Sequence, residues 1–196
     1  MYKRQELQTS GGPPNERYDA AVCVYGNKLI VSGGAPSSTE NQTTWELNLD
    51  TNVWTEKTSL KDTTPPYARH VMAVRYENKM IVWGGFMESA IFDMWELNLD
   101  NYQWTKVTPK YANGTNMNHP NRSYTVNLWK NTSKIIYYGG NDKTTVTEVN
   151  VGSYPYTVST KIPNNTGGSP NLGASPCSVC LLYTLTLPTK NEVEGG

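Results

Sequence analysis

The chain of 196 residues is poor in most of the side chains on which catalysis, nucleic-acid binding and membrane anchoring rest. It has two histidines and three cysteines, and its seventeen basic residues are cancelled by seventeen acidic ones. No basic run interrupts it, so it lacks the electrostatic footprint that would hold a nucleic-acid backbone or an anionic lipid surface. No apolar stretch nears the roughly 20 residues that a membrane-spanning helix needs, and insertion into a bilayer is not expected. Cys23, Cys177 and Cys180 make an odd count with no regular spacing, which gives no disulfide framework. "CSVC" at 177–180 has the spacing of a ligand pair, but the second pair or histidine of a four-ligand site is missing. No segment of eleven or more residues shows capped helical periodicity.

What is present points to sheet. Asn, Thr, Ser, Gly and Pro fill the space left by charge, and these residues build turns between short strands. Thirteen Tyr and six Trp against two Phe favour half-buried pleated surfaces, where an amphipathic ring can bury its body and keep its polar atom hydrogen-bonded. The chain also writes one phrase twice, "TWELNLDTNVWT" at 44–55 and "MWELNLDNYQWT" at 94–105. Extended backwards, the copies read "YGNKLIVSGG" and "YENKMIVWGG", and a weaker third appears as "TSKIIYYGG" followed by "TEVNVGSYPYT". Gly33, Gly84 and Gly139 are 51 and 55 residues apart, so the unit is about fifty residues long and occurs three times.

Each unit reads as four strands. A small or β-branched run (Ala20–Tyr25, Val71–Tyr76, Tyr124–Trp129) turns into an apolar run (Leu29–Val31, Met80–Val82, Ile135–Tyr138) that ends at Gly-Gly: Gly33-Gly34, Gly84-Gly85 and Gly139-Gly140. In "WELNL", Trp45, Leu47 and Leu49 alternate with Glu46, Asn48 and Asp50, the period-two signature of one buried face. The fourth strand is expected to begin at Trp54, at Trp104 and, in the third copy, at Tyr156.

An arginine at the unit start, an apolar strand ending in Gly-Gly, an aromatic near fourteen residues on and a second Trp beyond resemble the Kelch motif. The resemblance covers Pro14 to Pro163 and weakens in the third unit, where Thr147 stands for the first Trp. It implies an all-β chain: an incomplete Kelch-type β-propeller like the central domain of galactose oxidase, with three four-stranded blades at 14–57, 66–107 and 120–163. Residues 164–179 read as the start of a truncated fourth unit. Propellers close with about 4–8 blades, so the missing blades are themselves expected partners, and a stack of three should leave its end faces unpaired and associate. The termini "MYKRQ" and "CLLYTLTLPT" resemble translated ends of a transposon sequencing adaptor, and residues 1–5 and about 180–196 are expected to be read-through. A closing strand at Leu181–Leu187 is the alternative. "MYKRQELQTSGG" has no apolar core and is no signal peptide, which slightly favours the cytoplasm. Because the true start is expected to be absent, the compartment stays open.

The recurring Trp45, Trp54, Trp95 and Trp104 read as packing residues of the blades, and Trp83 and Trp129, which break the pattern, are also read as packing. The resemblance places Arg17, Arg69 and Arg122, with His70 beside the second, near one mouth of the central channel. There they could grip carboxylate or phosphate groups bidentately or hydrogen-bond the loop carbonyls of a neighbouring blade. The loops after Gly-Gly face the same mouth in the family. They offer Phe86, Met87, Ile91 and Phe92 in the second and Asn141 and Asp142 in the third. His70 and His119 sit in no nucleophile motif, and no carboxylate pair is brought together by the repeat. No cofactor is expected. The function expected is non-catalytic binding of a protein or peptide. The alternative is the propeller of a carbohydrate-active or oxidoreductase enzyme whose catalytic parts lie elsewhere.

Overall fold

Short runs of β-branched and aromatic residues separated by Asn-, Asp- and Gly-bearing turns have one way to satisfy their backbone, which is pairing of neighbours in antiparallel ladders. The computed structural model does this three times over. It describes residues 6–35, 43–57, 71–85, 92–112, 124–129, 132–139 and 146–161.

The first sheet contains β1 (Ala21–Tyr25), β2 (Lys28–Ser32), β3 (Thr44–Asn48) and β4 (Val53–Glu56), in that order across the sheet. The second repeats it with β5 (Ala73–Tyr76), β6 (Lys79–Trp83), β7 (Met94–Asn98) and β8 (Trp104–Val107). The third contains β10 (Tyr124–Leu128), β11 (Lys134–Gly139), β12 (Val146–Asn150) and β13 (Thr157–Lys161). A two-residue strand, β9 (Lys110–Tyr111), lies parallel along the outer edge of β13, so the third sheet has five strands and not the four expected. The stretch before the first sheet does the same on a smaller scale. Ser10 bridges Val53 in parallel, donating to the Asn52 carbonyl and accepting from the Trp54 amide at 3.0 and 2.9 Å. No helix occurs among the described residues.

The sheets stack, with β1 beside β5 and β5 beside β10. Two apolar clusters lie in the seams. Ala21, Cys23 and Ile30 of the first sheet meet Val71, Met80, Val82, Leu97, Leu99 and Trp104 of the second. Val74, Ile81, Trp83, Met94 and Val107 of the second meet eight residues of the third, among them Tyr124, Tyr137, Val149 and Val158. Both sides of β3 are covered: Glu46, which faces the second sheet and its Tyr102, is buried, and so is Leu47 on the opposite side. Leu49 is exposed while its counterpart Leu99 is fully buried, since Leu99 has a sheet in front of it.

Ladder register also fixes which residues correspond. Leu47 pairs Trp54, Leu97 pairs Trp104, and Val149 pairs Val158. Val158, not Tyr156, therefore holds the place of the second tryptophan. Tyr156 precedes it by two, as Tyr102 precedes Trp104. The offset arises in the turn, which spans residues 49–52 in the first unit and 151–156 in the third. Thr147 does hold the place of the first tryptophan, opposite Tyr137 as Trp45 is opposite Val31.

Candidate functional site

The connections from β2 to β3, β6 to β7 and β11 to β12 leave corresponding ends of the three sheets, and each leaves through glycine. Gly33, Gly34, Gly84, Gly85 and Gly139 all have positive φ, where a β-carbon is strained. At Gly34 space is also lacking: a β-carbon would lie 2.8 Å from the Tyr18 carbonyl oxygen and 2.9 Å from the Ala20 β-carbon. This close approach allows the Tyr18–Ala35 bridge, with amide-to-carbonyl distances of 3.1 and 3.0 Å.

Arg17 sits at this entrance. Its Nη1 donates to the Gly33 carbonyl at 3.0 Å, both terminal nitrogens lie 3.4 Å from Thr43 Oγ1, and Nε donates to the Asn15 carbonyl at 3.3 Å. Gly33 precedes the first loop and Thr43 follows it, so one planar cation ties the two ends together. The carbonyl it takes belongs to its own sheet, whereas one of the two expected roles was a bond to a neighbouring blade's loop carbonyl. Burial lowers the guanidinium's pKa, and the charge of Glu56 works the other way.

Arg69, His70, Arg122, Phe86, Met87, Gly140, Asn141 and Asp142 lie outside the described residues. Of the apolar residues read on the second loop, Phe92 is described; its side chain is 53% exposed and its carbonyl accepts from Trp83 Nε1 at 3.1 Å. Among the tryptophans, Trp83 and Trp104 are buried, Trp45, Trp54 and Trp95 are partly covered, and Trp129 stands out, exposed on the β10–β11 turn. Packing therefore accounts for Trp83 but not for the exposed ring of Trp129. Among the described residues no group of three or more His, Cys, Asp or Glu is placed to hold a metal, and no helix is long and apolar enough to cross a membrane.

The seams contain a polar arrangement that sequence reasoning missed. Lys28 pairs with Glu46 at 3.3 Å across β2 and β3, and the Tyr102 hydroxyl of the next sheet donates to the same carboxylate. One sheet on, Lys79 pairs with Glu96 at 3.2 Å and the Tyr156 hydroxyl donates to Glu96 at 2.5 Å. Lys134 and Glu148 repeat the pair on the third sheet at 3.1 Å. Burial pushes Glu46 toward protonation. The hydrogen bonds from Tyr102 and Lys28 and the charges of Lys57 and Lys28 outweigh it, so its pKa lies below the usual range. Burial, followed by the carboxylate contact, raises both tyrosine hydroxyls well above theirs.

The repeated "NLD" has its own task. Asn48 Oδ1 accepts from the amides of Asp50 and Thr51, and Asn98 Oδ1 from those of Asp100 and Asn101, which closes each turn. The aspartates receive Asn27 and Asn78 at 2.5 and 2.6 Å, and Asp100 also receives the Tyr25 hydroxyl of the sheet before at 2.9 Å. Asn48, Asp50, Asn98 and Asp100 of the doubled phrase thus have structural partners, whereas the buried Trp95 Nε1 has none.

A family model described as the KLHDC2/KLHL20/DRC7 Kelch-repeats domain matches residues 2–140, the first two sheets and the inner half of the third. The chain belongs to the Kelch-repeat family. Its Kelch units are the three stacked sheets, and the third continues past the matched span through β12 and β13. Two curated plant proteins are also similar, acyl-CoA-binding domain-containing proteins 5 and 4 of Arabidopsis thaliana, each 30% identical over 88 residues. That stretch is 44% of this Kelch chain but only 14% and 13% of theirs, so the chain matches about one seventh of the length of these relatives.

Proposed function

We propose that this Kelch unit is a non-catalytic scaffold that binds a protein or peptide through the loops following Gly-Gly. The observation that carries it is the brace at the first loop. Arg17 joins Gly33 and Thr43, so the residues that flank 36–42 are held together. A stiff sheet that presents variable loops from one end suits recognition, as loops on a rigid scaffold carry function with least risk to the fold. Kelch domains commonly bind proteins, which supports the reading, and half-exposed Phe92 gives the second loop apolar surface for contact. In this reading Phe86 and Met87 are apolar anchors, Arg69 and Arg122 meet acidic groups, and His70, Asn141 and Asp142 add hydrogen bonds. Arg17 is occupied as a brace and serves the site indirectly.

A peptide-display library selected against the whole chain tests this. The expected result is enrichment of peptides carrying an acidic and an apolar residue, with affinity falling tenfold or more on Phe86→Asp or on joint Arg69→Ala and Arg122→Ala, at unchanged melting temperature. Arg17→Ala should instead lower the melting temperature. No enrichment, or peptides that bind all these variants equally, removes the proposal.

A further inference from the structure

We infer that the first sheet is a jaw, which swings about its hairpin end and opens where the Gly-Gly loops leave, while the second and third sheets move as one body. Each sheet turns a forward face to the sheet after it and a backward face to the sheet before it, and ladder register aligns the two seams position by position. At the loop end of its forward face the second sheet puts Trp83, Met94 and Val107 into the seam, all buried. The same three places on the first sheet hold Ser32, Thr44 and Lys57.

The backward faces differ in the same sense. Tyr124 of the third sheet donates to the Trp83 carbonyl and accepts from the Met72 amide at 3.3 Å, and its ring lies 5.6 Å from that of Tyr137. In the first seam Val71 and Val82 stand in the places of Tyr124 and Tyr137, and neither side chain can hydrogen-bond. Trp104 goes the other way, being larger than Val158, but its polar link across the seam is a long one, 3.4 Å from Nε1 to Thr44 Oγ1. The loop end of the first seam thus sets a ring and two valines against hydroxyls and a half-buried lysine, whose polar groups exchange seam partners for water at little net cost. In the second seam the same end is an apolar, aromatic layer that water cannot replace.

The hairpin end of the first seam is pinned. Tyr25 of the first sheet donates to Asp100 of the second at 2.9 Å, and Tyr102 of the second donates to Glu46 of the first. The two bonds cross in opposite directions, and each ends on a carboxylate, the stronger kind of acceptor. Lys57 leans toward this end as well, its Nζ 5.3 Å from the Tyr102 ring, and does not fill the space that Val107 fills one sheet on. The second seam has a pin of the same kind, Tyr156 on Glu96 at 2.5 Å, in addition to its aromatic layer. Rotation about the first pair of pins parts Gly33 and Gly34 from Gly84 and Gly85. Because Arg17 ties Gly33 to Thr43, the first loop's entrance travels as one piece. The inference stands on the seams alone and not on what the loops bind.

Cys23, a free thiol buried in the first seam, is a native reporter of the swing. The test uses the whole chain with Cys177→Ser and Cys180→Ser, both outside the described residues. Labelling by an aromatic disulfide is followed through a urea series below the unfolding transition, each rate divided by that of the unfolded chain. The expected Cys23 rate is nearly independent of urea, as for an opening that exposes little surface. It should exceed by about tenfold or more the rate of Val74→Cys, the matching place in the second seam, read with Cys23→Ser. Ser32→Cys, close in shape to the serine it replaces and nearer the opening, should label faster than Cys23. Tyr25→Phe with Tyr102→Phe should release the pins and bring the Cys23 rate up to that of Ser32→Cys. Equal rates at Cys23 and Val74→Cys, a Cys23 rate that climbs with urea along the line of global unfolding, or faster labelling at Cys23 than at Ser32→Cys would each overturn the jaw.

Discussion

The two internal seams fill the same positions with residues of different size. Between the first and second sheets the large residue is Trp104, on the backward face, and the forward face yields to it with Ser32 and Thr44. Trp104 Nε1 lies 3.4 Å from Thr44 Oγ1, which is itself 2.9 Å from Ser32 Oγ. Between the second and third sheets Val158 stands in the place of Trp104, Trp83 and Met94 occupy the forward positions that Ser32 and Thr44 held, and Tyr124 and Tyr137 add bulk from the backward face. Trp83 meets Tyr137 edge to face at 5.2 Å, and the Tyr124 hydroxyl donates to the Trp83 carbonyl. At these facing positions a large residue on one sheet meets a smaller one on the other, as layers that interdigitate require. The Lys–Glu–Tyr contact is the opposite case: its residue types are identical at both seams. A charge and its partners cannot be traded for bulk, because a buried carboxylate without donors is costly at any packing density.

The largest expected effect tests where the bulk lies. Trp83→Ala should cost about 3–5 kcal/mol in urea denaturation, the range for emptying a buried tryptophan site, whereas Trp54→Ala, at a partly covered position outside the two seams, should cost about 1 kcal/mol. Equal losses would show that the seam does not concentrate the stability. A finer test exchanges the two solutions. Trp104→Val and Thr44→Met should each destabilise, and the double variant should be about 1 kcal/mol more stable than the sum of the two. Strict additivity would mean that the facing positions do not share volume.

The smallest effects concern the polar contact. Tyr156→Phe should cost about 2 kcal/mol and Tyr102→Phe, less buried, about 1 kcal/mol, as for hydrogen bonds to a charged acceptor. Glu46 has a folded-state pKa below its usual 4.5, so its contribution is present at neutral pH and is lost as pH falls through 4.5 and below. Glu46→Gln should flatten that part of the stability–pH curve in chemical melts. A wild-type curve already flat between pH 6 and about 3 would remove the linkage argument.

Much of the fold was legible because it is written in repeated local signals: the Gly-Gly ends, the Asn-bearing turns and the apolar second strands each fix conformation from nearby residues alone. The burial of Glu46 was not, since alternation along β3 reports two faces but not what covers the second. Tyr102 looked like an ordinary turn residue; its acceptor lies 56 positions earlier and belongs to another sheet. Comparing copies could have found it, as Tyr156 and Glu96 repeat the pair 60 positions apart, but the longer turn before β13 hid the correspondence. Of the mouth, the brace by Arg17 was half legible: the arginine and a loop carbonyl were anticipated, and the choice of its own sheet was not. β9 left no readable trace, because two residues cannot show a period.

The parallel stitch of Ser10 along β4, and of β9 along β13, means that the first and third modules are each hemmed by polypeptide synthesised before their own first strand. Cutting the third module at the start of β10 would strip that hem and bare an outer edge able to recruit stray strands. Its natural upstream limit therefore lies ahead of Lys110, inside what the repeat alone would count as a spacer.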